Sequence, residues 1–196
     1  MPIVVKIQPT STPVQLCDAK AQIGLIQEDS THDLLVSGYV AAATRSTEEY
    51  TGAKWMTQTV QVTWDSFETD SDCNQLDIGL YPIEGIVTLV YDAADGSEVE
   101  MAEGVDYWAN LEGMYPTIAP VGEWPMVEAG KPGAVRLTLV AGVADPAFVP
   151  DDVGQAILIR AKEMYAQRGE SVTGSTVSAT ELTVKELLRP HRRIDL

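Results

Sequence analysis

The chain has 196 residues, of which 45% are hydrophobic and 21% charged, and it carries a formal net charge of -16. That usage excludes a wholly disordered, collagen-like or low-complexity chain and leaves ample material for a real core. No apolar run approaches the ~18 residues that would cross a bilayer, and the start MPIVVKIQPTSTP lacks a basic segment followed by an apolar stretch, so a soluble, non-exported chain is expected.

In chain order, the N-terminal part reads as two helices. After the extended, proline-containing TSTP, the segment PVQLCDAKAQIGL puts Leu16, Ala19 and Ile23, with Cys17 and Lys20 beside them, on one stripe at helical spacing. Gly24 weakens its end. A second helix begins near Ser30, where Ser30-x-x-Asp33 is placed to cap free amides, and Gly52 supplies a left-handed stop. Leu35, Tyr39, Ala42 and Ser46 share one face of it, while Gly38, Ala41 and Ala42 are small enough for another helix to approach closely.

Past Gly52 the period changes from helical to alternating. Val60, Val62 and Trp64 point one way and Thr59, Gln61 and Thr63 the other, which marks a half-buried strand. Ile86 to Tyr91 is a second strand, and Asp95-Gly96 before SEVEM signals a hairpin turn. Further strands are predicted at Tyr107 to Ala109, at Tyr115 to Ile118 and in AVRLTLVAG, where Val135, Leu137 and Leu139 alternate with Arg136 and Thr138. These strands make a small antiparallel sheet or barrel.

Helical spacing returns at Pro150, which suits a first helical position, with Asp151 and Asp152 complementing the positive helix end. Val153, Ala156, Ile157, Ala161, Met164 and Tyr165 form its apolar face. Leu158 and Ile159 fall partly off that face, free either to pack in the core or to meet another subunit. The polar ESVTGSTVSAT reads as a connector, and Ser178 or Thr180 caps a short helix, ELTVKELLR, stopped by Pro190. Val184, Leu187 and Leu188 form an i, i+3, i+4 triplet on that helix. So short a helix is marginal alone, so it docks either on its own domain or on a partner.

The fold class expected is therefore α+β: a small helical bundle, with helices near 15–25, 31–51, 150–168 and 181–189, and an inserted antiparallel β domain at about 55–140. The limits read as 1–54 for the N-terminal helices, 55–145 for the acidic β domain, 146–170 for the third helix, and 171–196 for the connector, last helix and basic tail.

Charge is distributed unevenly. From Trp55 to Gly130 there are fifteen Asp and Glu and no Lys or Arg, whereas Lys185, Arg189, Arg192 and Arg193 outnumber Glu186 and Asp195 at the end. An acidic body repels nucleic-acid backbone, which argues against a DNA-reading domain. The two cysteines, Cys17 and Cys73, make no Cys-x-x-Cys spacing and fit a reducing cytosol.

Catalytic and metal-binding patterns are missing. His32 and His191 stand in no metal-ligand spacing, and there is no Gly-x-Ser-x-Gly elbow, phosphate loop or dinucleotide fingerprint. DSDCNQLD gathers Asp70, Asp72, Asn74 and Asp77 in the manner of a calcium loop. Gln75 takes the place of its turn glycine and Tyr81 that of its bidentate Glu, so an acidic surface loop is the reading. No cofactor and no metal are expected. A carboxylate-dependent hydrolase stays open as an alternative because carboxylates are abundant.

The order of several local strings resembles the head-to-tail connector, or adaptor, proteins of long-tailed double-stranded DNA bacteriophages and prophages. The strings are PVQLCDAKAQIGL, EEYTGAKWMTQTVQVTW, EGVDYW, VGEWP, AVRLTLVAGVADPAFVPDDVGQAILIRAKEMYAQRGE and the terminal ELLRPHRRIDL, and together they span nearly the whole chain. Gly169 departs from the acidic residue that more often follows the Tyr-x-x-Arg of the third helix, and the inserted region is unusually acidic.

The resemblance implies a structural, non-enzymatic virion protein at the neck, assembled in the host cytoplasm. It implies a ring of identical subunits, commonly twelve, bound to the portal protein on one side and to the next neck or tail-completion protein on the other. Genomic DNA passes through without sequence-specific binding, and no membrane is involved. The portal-binding residues it points to are Val184, Leu187, Leu188, Arg189, Pro190, Arg192, Arg193 and Ile194, with leucines as anchors and arginines as rim charges. Leu158 and Ile159 become subunit-contact candidates. Asp65, Glu68, Asp70, Asp72, Glu98, Glu100 and Glu103 become candidates for an acidic lumen or rim that repels phosphate. A tail-completion or other neck protein of the same particle is the alternative within this setting.

Overall fold

Hydrophobic alternation and helical spacing separate into two compact units, one of strands and one of helices, in the computed structural model, which describes residues 2–67, 74–167 and 179–194. Residues 1–9 with 57–142 make the β unit, and residues 10–56 with 143–196 make the helical unit. The fold class is α+β, with four α-helices and two antiparallel sheets among the described residues.

The β unit is built around β8 (Val135–Ala141), flanked by β2 (Gln58–Trp64) and β4 (Ile83–Asp92). The edges of this five-stranded sheet are β1 (Ile3–Ile7) and β5 (Glu98–Met101), giving the order β1-β2-β8-β4-β5. A second, three-stranded sheet has the order β3-β7-β6, from β3 (Leu76–Asp77), β7 (Thr117–Pro120) and β6 (Tyr107–Asn110). The predicted alternation holds except at its end: Val60, Val62, Val135, Leu137 and Leu139 are fully buried and Thr59, Gln61, Thr63, Arg136 and Thr138 half-exposed, while Trp64 is only half-buried against the core. With Leu89, Ile78, Leu80 and Ile118 they form one core, and each such aliphatic side chain contributes about 1.5–3 kcal/mol by leaving water.

The β4–β5 hairpin turns at Asp95-Gly96 as expected. Gly96 has φ 83°, Ala93 N–H donates to the Ser97 carbonyl at 2.8 Å, and Asp95 Oδ1 accepts from both Ser97 N–H and Oγ.

One correction concerns the first residues. Ile3–Ile7 are a strand of the β unit, pairing antiparallel with β2 (Ile3 opposite Val62, Val5 opposite Val60), and do not belong with the N-terminal helices. An uninterrupted run of β-branched residues, Ile3-Val4-Val5, favours the pleated state, and as an edge strand it needs no polar alternation.

The helical unit contains α1 (Leu16–Ile23), α2 (Asp33–Thr51), α3 (Asp151–Ala166) and α4 (Ala179–Leu188). Gly52 (φ 75°) ends α2 in the left-handed conformation, as the sequence predicts, and Gly24 (φ 88°), expected only to weaken the end of α1, does the same there. The start of α2 differs. Its N-cap is His32, with no side-chain cap, and Ser30 only offers its carbonyl to Asp33 N–H at 3.2 Å.

The buried face of α2 is also one residue out of phase with the expectation. Val36, Val40, Ala43, Thr47 and Thr51 are buried, whereas Leu35 and Ala42 are exposed and Tyr39 and Ser46 half-buried. The buried threonines satisfy themselves along the helix, Thr47 Oγ1 donating to the Thr44 carbonyl and Thr51 Oγ1 to the Thr47 carbonyl, each at 2.7 Å. Gly38, Ala41 and Ala42, predicted to admit a neighbouring helix, lie on the exposed side. On α3 the predicted face is buried at Val153, Ala156, Ile157 and Ala161.

Candidate functional site

The C-terminal segment is fastened residue by residue. Val184 and Leu188, four apart on α4, project from one face and are fully buried in the helical unit. A 3-10 turn, Arg189–His191, carries Pro190 where a missing N–H costs nothing. His191 Nε2 then lies 2.8 and 3.0 Å from the two carboxylate oxygens of Asp152, with its ring edge-on to Trp55 at 5.9 Å. Arg192 places its guanidinium 5.2 Å over the Tyr50 ring. Arg193 donates its backbone N–H to the Thr51 carbonyl at 2.9 Å, which satisfies one of the carbonyls at the end of α2.

This corrects part of the predicted binding set. Val184, Leu188 and Arg193 are core residues of this chain and offer no side chain to a partner in this arrangement. The i, i+4 pair is hydrophobic enough to complete its own bundle, which is what a short helix needs to exist. The surface that remains consists of Arg189, Pro190, Arg192 and Ile194, the last 60% exposed, with Leu187 half-buried beside them.

Two interactions in the helical unit were not anticipated. Lys20, only 3% exposed, donates from Nζ to the carbonyls of Gln27 and Asp29 and to Asp33 Oδ1, all at 2.7 Å, using its three donors to tie α1 to the start of α2. Glu48 accepts from Trp55 N–H at 3.2 Å and from Lys54 Nζ at 2.9 Å, which fixes the exit from α2. The sequence shows Lys20 only as a member of the helical stripe, because two of its partners are backbone carbonyls.

Leu158 is buried and Ile159 half-buried. Leu158 lines a groove of about 890 Å³ whose walls are Val14, Gln15 and Asp18 on one side and Pro150, Asp151 and Gly154 on the other.

The acidic residues of the β unit are engaged unequally. Asp65 Oδ1 accepts from Gly133 N–H at 2.8 Å. Glu98 pairs with Arg136 at 2.6 Å, while Glu100 and Glu103 are exposed. Glu68, Asp70 and Asp72 lie outside the described residues. At the centre of the acidic region stands Asp92, which accepts from both terminal nitrogens of Arg136 at 2.6 and 2.9 Å and sits 3.0 Å from Lys131 Nζ. The hydrogen bonds from Arg136, then Lys131, hold its carboxyl well below the ordinary range. Lys131 and Arg136 follow directly on the stretch without basic residues, so the first cations after it neutralise the buried Asp92.

Asp29 and Asp95 are also pushed down, chiefly by side-chain hydrogen bonds from Thr31 and Ser97, whereas a general acid wants a carboxyl pushed up. In the groove lined by Asp65, Phe67, Trp124 and Glu128, Asp65 serves Gly133 and Glu128 serves Lys131, and the Phe67 and Trp124 rings are stacked at 4.5 Å. Among the described residues no three His, Cys, Asp or Glu side chains are grouped to hold a metal ion. No described helix is long and apolar enough to cross a membrane.

No family model and no curated protein matches this chain. Solved structures do. A chain of the neck of the empty gene transfer agent (GTA) particle, computed with C6 symmetry, is 18% identical with a TM-score of 0.79, covering 100% of this chain and 97% of that one. A chain of the virion of the native GTA particle gives 18% identity, a TM-score of 0.78 and the same coverage. A chain of the neck of the native GTA particle, computed with C12 symmetry, gives 17%, 0.66, and coverage of 97% and 96%. At these identities the likeness is one of fold, and it runs over essentially the full length of both chains.

Proposed function

We propose that this chain is a structural, non-enzymatic protein of the neck of a phage-like particle. Its role there is that of a head-to-tail connector, or adaptor, forming a ring under the portal, joining capsid to tail and letting genomic DNA pass. The observation that carries this is the full-length correspondence of fold with chains from GTA particles, two of them from necks. The C6 and C12 symmetries of those neck structures support a cyclic assembly here. A cyclic ring needs two different patches on each subunit, and the exposed side of α2 and the edges of the five-stranded sheet supply candidates.

In this reading the tail works as a preassembled surface. Val184, Leu188 and the Arg193 backbone hold the segment on its own subunit, and Arg189, Pro190, Arg192, Leu187 and Ile194 meet the portal. Holding the segment in place before contact lowers the ordering cost of binding. The fifteen carboxylates between Trp55 and Gly130 discourage phosphate from adhering during DNA passage.

The test is cryo-electron microscopy of the full chain mixed with the portal protein of the same particle, alongside portal pull-down. A cyclic ring seated on the portal, and about tenfold weaker capture of the doubly substituted Arg189→Glu, Ile194→Asp protein, is the expected result. Binding to the tail-tube protein with none to the portal would make it a tail-completion protein, and turnover of a small substrate would end the structural reading.

A further inference from the structure

The two edges of the five-stranded sheet are complementary to each other. All its strands pair antiparallel, in the order β1-β2-β8-β4-β5, so the first and last strands run in the same direction. Thr63 N–H donates to the Pro2 carbonyl at 3.2 Å, which makes Pro2 and Thr63 a hydrogen-bonded pair. By the alternation of an antiparallel ladder, Val4 then bonds to β2, and the N–H and C=O groups of Ile3 and Val5 point away from the sheet.

The same argument applies at the other edge. Ala93 N–H donates to the Ser97 carbonyl at 2.8 Å, so Val99 and Met101 bond to β4 and the backbone groups of Glu98 and Glu100 point outward. Among the described residues no strand pairs with the outer side of either edge.

Side chains match as well. Ile3 and Val5, opposite the buried Val62 and Val60, lie on the core face of the sheet, as do Val99 and Met101 at the far edge, the latter opposite the buried Leu89. On the other face β5 carries Glu98 and Glu100 and β1 carries Val4, while Lys6, the only charge of β1, is exposed at the register shift between Val5 and Ile7. An apolar strand with Ile3 40%, Val4 50% and Ile7 62% exposed is the kind of edge that recruits another strand unless it is blocked. A copy of β5 paired with another β5 would set glutamate against glutamate, which is unfavourable.

We infer that β1 of one copy of this chain pairs in parallel with β5 of the next, so that the five-stranded sheet continues from subunit to subunit. The exposed Lys6 then brings a cation to the edge that carries Glu98 and Glu100 of the neighbour, and Ile3 and Val5 extend its row of Val99 and Met101. Because the two edges are different surfaces that run in the same direction, a modest rotation about a common axis brings them together, and repetition closes a ring. This rests on the neck-ring reading and names its subunit contact.

The full-length chain is followed by mass photometry and negative-stain microscopy, alone and with the portal protein. Lys6→Glu and Glu100→Lys each lower subunit association about tenfold, and the doubly reversed protein regains it. Ile3→Pro, which removes an outward N–H and leaves the Val4 ladder bonds intact, does the same while circular dichroism remains that of the parent. Rings that form equally well in all of these variants overturn the edge pairing and leave the neck reading standing. Discrete two-fold dimers joined β1 to β1 overturn it too. A parent chain that forms no ring in either setting overturns the neck reading and this contact with it.

Discussion

The β unit and the helical unit achieve their cores by opposite means. In the β unit large aliphatic side chains, Val60, Val62, Leu89, Leu137, Leu139 and Ile118, interlock between ladders whose backbone is already paired. In the helical unit many of the buried positions are small, Ala19, Ala43, Ala53, Ala156 and Ala161 among them, so the helices lie close and less apolar area is removed from water. Polar fasteners make up the difference, with Lys20, Glu48, Thr51, His191 and the Arg193 backbone each holding a segment end. Charge divides the same way. The β unit has fifteen acidic and three basic residues, the helical unit fourteen and ten. One unit is a hydrophobic block with an acidic coat, the other a set of helices secured at their ends.

The largest effect expected from breaking this contrast is Leu137→Ala. Leu137 sits in the central strand with no exposed surface, and its loss destabilises the β unit by about 4 kcal/mol, read as a shift in the urea midpoint of strand amide exchange. The equivalent blow to the helical unit is polar. Lys20→Ala strips the Gln27 and Asp29 carbonyls of a donor and leaves Asp33 without its cation, at a cost of about 3 kcal/mol, read in helix amide exchange. If Lys20→Met proved as stable as the parent, the view of the helical unit as held by polar fasteners would fail.

The same contrast explains what the sequence revealed. Strands with one buried face declare themselves through period-two alternation, so β2 and β8 and the Asp95-Gly96 hairpin were legible. Positive-φ glycines at helix ends were legible too. The phase of α2 was not, because LLVSGYVAAA is apolar on nearly every side and threonine hides among the buried positions by bonding to its own helix. The β1 strand carried a signal, three consecutive β-branched residues, but without alternation it did not stand out from an extended leader. The tail was the most instructive. Its triplet predicted a docking helix, and only packing could tell that Val184 and Leu188 dock at home. The partners of Lys20 and Asp92 depend on loop paths and cross-strand neighbours that no local spacing encodes.

Titration sharpens the contrast further. Among the described residues, Asp92, Asp95, Tyr81, Tyr107, Lys131 and Arg136, all in the β unit, have shifted ionisation, against Asp29 in the helical unit. Asp92 is held below its ordinary value of 3.8, so the unfolded chain takes up the proton first. Its contribution is complete above that value and is lost as pH falls through the lower folded one. Burial pushes Tyr81 up to about 12, so the unfolded chain ionises first on the alkaline side, and that contribution is lost as pH rises from about 10 to 12. Urea midpoints of strand exchange should therefore fall at both pH extremes, and Asp92→Asn should flatten the acid limb while lowering stability at neutral pH. An acid limb unchanged in Asp92→Asn would remove Asp92 as its source.

The smallest effect separates backbone from contact at two equivalent helix ends. Gly24 and Gly52 both adopt positive φ, at 88° and 75°, so alanine at either costs about 1 kcal/mol of backbone strain. They differ in what a Cβ would meet. At Gly24 there is nothing within 4 Å, whereas at Gly52 the added carbon lies 3.4 Å from Arg193 Cβ, at the edge of ordinary van der Waals contact. Gly24→Ala should therefore leave amide exchange at Arg193 as it was relative to the rest of α3. Gly52→Ala, by pushing on the residue whose N–H caps Thr51, should speed exchange at Arg193 by a few-fold more than the global loss accounts for. Equal exchange in the two variants would mean that the tail is held by its side-chain contacts and that its backbone cap on α2 adds nothing.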